Sequence, residues 1–196
     1  MKKLLIVVLS FFCGLGFGKT AEKKGFRENS NDIWESVIEI PTLSGELIPD
    51  GVLDEELWSS ASSLNVFYNG REANKLKTKE EVRMFFDGEN IVFGIEAPAM
   101  NTKADLSKCY LSEEWDLRSA PNISIYLDPE HNHGVYYRFL VDAAGNKQDL
   151  RVDDESWRTD WFAAVSDKEI FSAEIKIPVS SLSEQISGGD FWGFNV

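Results

Sequence analysis

The sequence predicts an all-β fold, an antiparallel β-sandwich of the jelly-roll or immunoglobulin-like kind. Three observations carry this expectation. Short runs alternate apolar and polar residues at a period of two, the repeat of a half-buried strand. Turn signals such as Asp87-Gly88-Glu89-Asn90 and Ala143-Ala144-Gly145-Asn146 separate these runs. No segment sustains the 3.6-residue period of an amphipathic helix. At 196 residues the chain is long enough for one domain with a tail, closing its core without disulfide staples.

Residues 1–18 read as a secretory leader. Met1-Lys2-Lys3 supplies the basic start, Leu4 to Leu9 the apolar stretch, and Gly16-Phe17-Gly18 the small residues of a cleavage site after Gly18. The expected location is secreted, periplasmic or cell-surface. The apolar run is too short and too Gly-rich for a span of about 20 residues, so an integral membrane protein is not expected. Cys13 opens a lipoprotein alternative, but Phe11 and Phe12 stand where a lipoprotein signal wants small residues. After cleavage Cys109 is the one remaining cysteine; it has no intrachain disulfide partner and reads as a small buried side chain. Residues 19–33 are polar and charged and read as a linker, with the domain over 34–196.

Within the domain, Asp54 to Ala61 and Ala104 to Leu111 each fit a helical turn or two. Val82, Met84 and Phe86 alternate with Glu81, Arg83 and Phe85; after the Asp-Gly turn Ile91, Phe93, Ile95 and Ala97 alternate with Val92, Gly94 and Glu96. This predicts a hairpin. Ile123, Ile125 and Leu127 alternate with Ser124 and Tyr126 until Asp128-Pro129; Tyr137, Phe139 and Val141 alternate with Tyr136, Arg138 and Leu140. Phe171, Ala173, Ile175 and Ile177 alternate with Ser172, Glu174 and Lys176, and Phe191 to Val196 is a last apolar run. If these strands share a sheet, Glu81, Arg83, Ser124, Arg138, Glu174 and Lys176 form one polar outer face.

The formal net charge is −13, a field that repels phosphate backbones and anionic membranes. Nucleic acid is therefore not expected as a partner, whereas neutral ligands and divalent cations remain open. The chain contains no Gly-x-Ser-x-Gly and no phosphate loop, so a binding module is favoured over an enzyme.

Several segments resemble family 9 carbohydrate-binding modules and related DOMON-like domains. They are Asp50-Gly51-Val52-Leu53-Asp54-Glu55-Glu56-Leu57-Trp58, the hairpin around Phe86 to Phe93, and the strand Ile123 to Asp128. Ala173-Glu174-Ile175-Lys176-Ile177-Pro178 with Ser181-Leu182, and Gly189-Asp190-Phe191-Trp192-Gly193-Phe194-Asn195-Val196, complete the set in order. The resemblance covers Pro49 to Val196. It implies a β-sandwich that binds sugars, often with structural calcium, in secreted carbohydrate catabolism. Two departures stand out. Pro121 and Ser124 occupy positions where the family carries acidic residues, which puts a ligand-facing carboxylate in doubt. The family also continues past the Gly-Phe-Asn-Val end with another strand, so a truncated edge is expected at Val196.

Sugars offer C–H faces to aromatic rings and hydroxyl edges to charged and amide groups. Trp115, Trp157 and Trp161 lie in polar stretches, and the resemblance maps a pair of sugar-gripping tryptophans onto Trp115 with Trp157 or Trp161. The opposing reading packs each ring under a loop. Trp34, Trp58 and Trp192 read as core. Arg138, with Tyr136 on the same face, either holds ring hydroxyls or pairs across strands with Glu174 or Glu81. Glu174 matches the family motif, where it serves ligand or fold. Asp149, Asp153 and Asp154 are candidate calcium ligands, against a solvated acidic loop. His131 and His133 lack an evident third metal ligand. Two other readings remain: a haem-binding electron-transfer domain using Met84 or Met100, and a structural accessory domain of a glycoside hydrolase with no ligand. In the first, Met84 competes with its own role as plain core.

Overall fold

The computed structural model describes residues 4–9, 26–28, 35–65, 80–99, 122–182 and 191–196. Twelve strands form two sheets. They are β1 Leu4–Leu9, β2 Phe26–Glu28, β3 Glu35–Ile40, β4 Ser62–Leu64, β5 Glu81–Phe86 and β6 Asn90–Pro98, followed by β7 Asn122–Asp128, β8 Tyr137–Asp142, β9 Lys147–Arg151, β10 Phe162–Asp167, β11 Ile170–Pro178 and β12 Phe191–Asn195. The larger sheet runs β2-β3-β1-β12-β7-β8-β9 and the smaller β10-β11-β6-β5-β4. All neighbours are antiparallel except β1 and β12. The expected all-β sandwich is the observed architecture.

The predicted hairpin forms as β5 and β6, with Phe86 opposite Ile91. Its turn is held by Asp87, whose Oδ1 accepts the N–H of Glu89 at 2.9 Å and of Asn90 at 2.7 Å. Gly88 takes φ +109°, a conformation that a Cβ would strain. The Asp142 carboxylate closes the β8–β9 turn in the same way, on the N–H groups of Ala144 and Asn146.

The core faces named by the alternation meet between the sheets. Met84, Phe93, Ile95, Phe171 and Ile175 of the smaller sheet pack with Ile125, Leu127, Phe139, Trp192 and Phe194 of the larger. Phe93 stacks on Phe194 with ring centroids 5.6 Å apart, joining the two layers.

One polar face was expected; the structure divides it. Glu81, Arg83, Glu174 and Lys176 lie on the smaller sheet, Ser124 and Arg138 on the larger. The smaller sheet's outer side is also partly covered. The segment 41–61, which includes a single 3-10 turn at Glu56–Ser59, lays Leu47, Trp58 and Ala61 over Phe85 and Val92 as a second apolar cluster. Close approach explains Gly94, where a Cβ would stand 2.6 Å from Leu53 and 2.8 Å from Trp58. Trp58 and Trp192 are buried, as expected, while Trp34, Met100 and Cys109 lie outside the described residues.

The N-terminal region differs from expectation. Leu4–Leu9, read as leader, forms β1 in the interior of the larger sheet, and the expected linker contains β2, paired with β3. β12 was expected to leave an open edge; here it is paired by β7 on one side and β1 on the other. Six consecutive aliphatic residues, largely β-branched or leucine, suit a strand with neighbours on both sides. Among the described residues no helix is long and apolar enough to cross a membrane.

Candidate functional site

The outer face of the larger sheet carries a concave site that combines rings with hydrogen-bonding groups. On β7, Ile125 and Leu127 point into the core, so Ser124, Tyr126 and Asp128 take the opposite face. On β12, Trp192 and Phe194 are core, which turns Gly193 and Asn195 outward. Register aligns these strands: Asn195 faces Tyr126, Tyr126 faces Arg138, and Arg138 faces Leu150. Gly193 faces Asp128 in the next row.

The result is a depression of about 280 Å³ lined by Tyr126, Asp128, Tyr136, Gly193 and Asn195, with Leu127 and Phe194 contributing from the strands beneath. Gly193 leaves its floor without a side chain. Tyr126 and Tyr136 form an edge-to-face pair, centroids 5.8 Å apart, at one wall. Tyr136 is carried by the loop between β7 and β8, which folds around the buried Asp128. That carboxylate accepts the N–H of His133 at 2.8 Å and of Asn132 at 3.4 Å. His131 and His133 adopt φ +50° and +59°, left-handed conformations held by this wrapping. Beside the depression, Arg138 donates from Nη2 to Gln148 Oε1 at 3.3 Å, while its Nε is buried without a partner in the structure. A guanidinium next to two phenol rings is suited to a neutral polyol.

Of the residues predicted from the sequence, Tyr136 and Arg138 belong to this face. Trp157 and Trp161 do not. Tyr137 and Phe139 flank Arg138 in β8 and point the opposite way, and it is on these that the tryptophans pack. Trp157 lies 4.8 Å from the Tyr137 ring, and Trp161 lies 5.3 Å from Phe139. Trp161 is buried and joins the core cluster, with Lys147 Nζ 5.1 Å from its ring. The expected grouping of Trp157 or Trp161 beside Arg138 is therefore corrected, because the sheet itself separates them. Trp115 and Pro121 lie outside the described residues.

Glu174 is fully buried under the 41–61 cover. Its Oε2 accepts the N–H of Asp50 at 2.7 Å and of Gly51 at 3.0 Å, and its Oε1 accepts Trp58 Nε1 at 3.1 Å. Every contact serves the fold, and a strand face away from the depression carries it. Burial pushes its carboxyl above the usual carboxylate value, against the lowering by these N–H donors, and the nearby Glu55 adds to the rise. Arg138 pairs with neither Glu174 nor Glu81, which sit in the other sheet; Glu81 instead binds Arg83 at 2.8 Å.

Asp149, Asp153 and Asp154 do not converge on a metal site. Asp149 accepts the N–H of Thr159 at 2.9 Å, Asp153 pairs with Arg151 at 2.8 Å, and Asp154 accepts Ser156 N and Oγ. Among the described residues no three His, Cys, Asp or Glu side chains are placed to hold a metal ion. Met84 is fully buried within the apolar core, which matches its reading as core.

Sequence reasoning missed Tyr126, Asp128, Gly193 and Asn195 as site residues. The alternation already placed Tyr126 on the same face as Ser124. What was not legible was that β12 lies beside β7, bringing Gly193 and Asn195 next to it.

No family model and no curated protein matches the sequence. Among solved structures, the chain is similar to a family 9 carbohydrate-binding module from Caldicellulosiruptor kristjanssonii in complex with cellotriose. The two share 14% identity at a TM-score of 0.50, over 72% of this chain and 67% of that one. A second structure, the module from the same organism in complex with glucose, gives the same identity and TM-score over 69% of its chain. This chain has the β-sandwich fold of the family 9 carbohydrate-binding modules.

Proposed function

We propose that the chain is a non-catalytic carbohydrate-binding protein that takes a neutral, plant-type oligosaccharide in the depression on the outer face of the larger sheet. The observation that carries this reading is the lining. Tyr126 and Tyr136 wall a hollow over Gly193, with Asn195 and Asp128 inside and Arg138 alongside. Tyrosine rings cover the C–H faces of a pyranose, while Asn195 and the guanidinium of Arg138 meet its hydroxyls. The similar modules were solved with cellotriose and glucose, which supports a β-glucan class of ligand. The net charge of −13 is compatible with an uncharged sugar. Export through the leader at residues 1–18 belongs to the same reading, as does a contribution from Trp115.

Few rings and hydrogen bonds must offset the lost freedom of the sugar, so micromolar to millimolar dissociation constants are expected. The test is calorimetric titration with glucose and cello-oligosaccharides. Tyr126→Ala, Tyr136→Ala and Arg138→Ala should each weaken binding about tenfold, the loss of roughly 1.4 kcal/mol, with melting temperatures near that of the parent. Parental affinity in both tyrosine variants would move the site elsewhere. No heat from the parent with any neutral glycan would leave the accessory structural role.

A further inference from the structure

The 41–61 segment is fastened to the smaller sheet at two acidic side chains that sugar binding does not use. At one end Leu43 anchors it, donating its N–H to Phe86 O, and at the other it runs into β4. Between these ends it hydrogen-bonds the sheet through Ser172, which donates to Gly51 O, and through the buried Glu174, which accepts the N–H groups of Asp50 and Gly51. The Trp58 indole N–H is shared, 3.1 Å from Glu174 Oε1 and 3.0 Å from Glu55 Oε2. Two carboxylates thus divide one donor where Glu174 is shut off from water. The cations on this face are engaged elsewhere: Arg83 lies 2.8 Å from Glu81 and 3.5 Å from Glu96, and Lys176 lies 3.0 Å from Asp87. β10 turns Phe162, Ala164 and Ser166 to this side, and β6 sets Gly94 opposite Glu174. On the segment itself Asp50 accepts the Val52 N–H, and Asp54 and Glu56 are exposed.

We propose that Glu55 and Glu174 form a proton-operated latch that holds the 41–61 segment over Phe85 and Val92. While the pair keeps a proton, one carboxylate charge faces the shared indole N–H and the segment stays closed. Loss of that proton leaves two like charges on one donor, with Glu174 denied water. Lifting the segment hydrates Glu174 and carries Glu55 away with Trp58, which relieves both costs. The direction follows from linkage. Burial, with Glu55 adding to it, holds the Glu174 carboxyl above its ordinary 4.5 in the closed state, against the lowering by its N–H donors. The closed state therefore keeps the proton to a higher pH than the open one, and the proton belongs to the pair. Opening is rarest below about 4.5, rises by up to about tenfold per pH unit above it, and levels off once the closed state is ionised. The latch lies on the other sheet from the tyrosine-walled hollow and stands whether or not that hollow binds sugar.

Hydrogen exchange on the full chain, followed by NMR from about pH 4 to about pH 8 and corrected for the intrinsic pH dependence of exchange, provides the test. The Asp50 and Gly51 amides and the Trp58 indole should be at least about tenfold less protected than the Phe139 amide in the core of β8, because the segment opens without global unfolding. Their protection should fall from about pH 4.5 by up to about tenfold per unit and then flatten. Glu174→Gln should abolish the fall. Glu55→Gln, which keeps an acceptor for Trp58 and leaves Glu174 intact, should make it smaller. Protection equal to that of Phe139 at every pH would show that the segment opens only with the whole domain and would overturn the latch. So would protection in the parent that does not change with pH, or a fall that persists in Glu174→Gln. A fall in Glu55→Gln as large as the parent's would overturn the sharing of the proton.

Discussion

Glu174 and Arg138 are both charged residues on strand faces away from the core, and their surroundings give them opposite uses. Glu174 is covered by the 41–61 segment and accepts three N–H donors. Its carboxyl is raised above 4.5 by burial, so the folded state holds the proton to a higher pH than the unfolded chain does. Its contribution to stability is fully present below the unfolded value and falls as pH rises through the folded one. Urea unfolding should therefore show a decrease in stability as pH rises from about 4.5. Glu174→Gln, which has no proton to lose, should remove that slope. Glu174→Ala removes the acceptor of the Asp50 and Gly51 N–H groups, while Trp58 Nε1 keeps Glu55, and should cost roughly 1–3 kcal/mol at any pH, without changing sugar affinity of the folded protein. Arg138 stands on the outer face of the larger sheet and bonds Gln148 there, so its replacement should act on affinity more than on the fold.

The segment after β9 shows how an element can hide its function from a sequence reading. Residues 152–161 are rich in charge, and two tryptophans there suggest exposed rings. In the structure Asp149 reaches across from β9 and accepts Thr159 N–H and, at 3.4 Å, Trp161 Nε1. The segment is thereby folded onto the core side of β8, where Trp157 and Trp161 pack edge-to-face on Phe139 at 6.0 and 5.3 Å. These rings close the end of the sandwich. Trp161→Ala should lower stability by roughly 3–5 kcal/mol, read as an earlier midpoint in urea, and leave sugar affinity unchanged where the protein remains folded. Tyr126 and Tyr136 are held by a strand and by a loop wrapped on Asp128, so removing either ring should spare the core.

At the scale of the whole molecule, the two sheets divide the work. The smaller one is buried on its inner side and partly covered on its outer side by the 41–61 segment, and it serves stability. The larger one leaves a face with the tyrosine-walled hollow open. A ligand that binds this folded face and not the unfolded chain stabilises the whole domain by mass action. At a sugar concentration one hundred times the dissociation constant the gain is about 2.7 kcal/mol. A thermal melt with cellotriose should show a matching rise in midpoint for the parent, and about half that rise for Tyr126→Ala at the same sugar concentration. An anionic polysaccharide should give a smaller rise, because the net charge of −13 opposes anionic ligands.

The sequence by itself determined β5, β6, β7, β8, β11 and β12, the turns at 87–90 and 143–146, and the core side of the alternating strands, but not β1, β2, β3, β4, β9 or β10. Val82, Met84, Ile125, Phe139 and Ile175 announce their face because the strand period is two and burial is a local property of that period. It also placed Tyr136 and Arg138 on an outward face. The tertiary structure decided which outward faces lie together. It put Glu174 and Arg138 in different sheets, set Gly193 and Asn195 beside Asp128 and Tyr126, and turned the Trp161 ring inward. It also placed Leu4–Leu9 between β3 and β12. These outcomes depend on strand order and on segments folding back over a sheet. Both arise from contacts between residues far apart in the chain, as between Gly51 and Glu174, and a period of two carries no information about them.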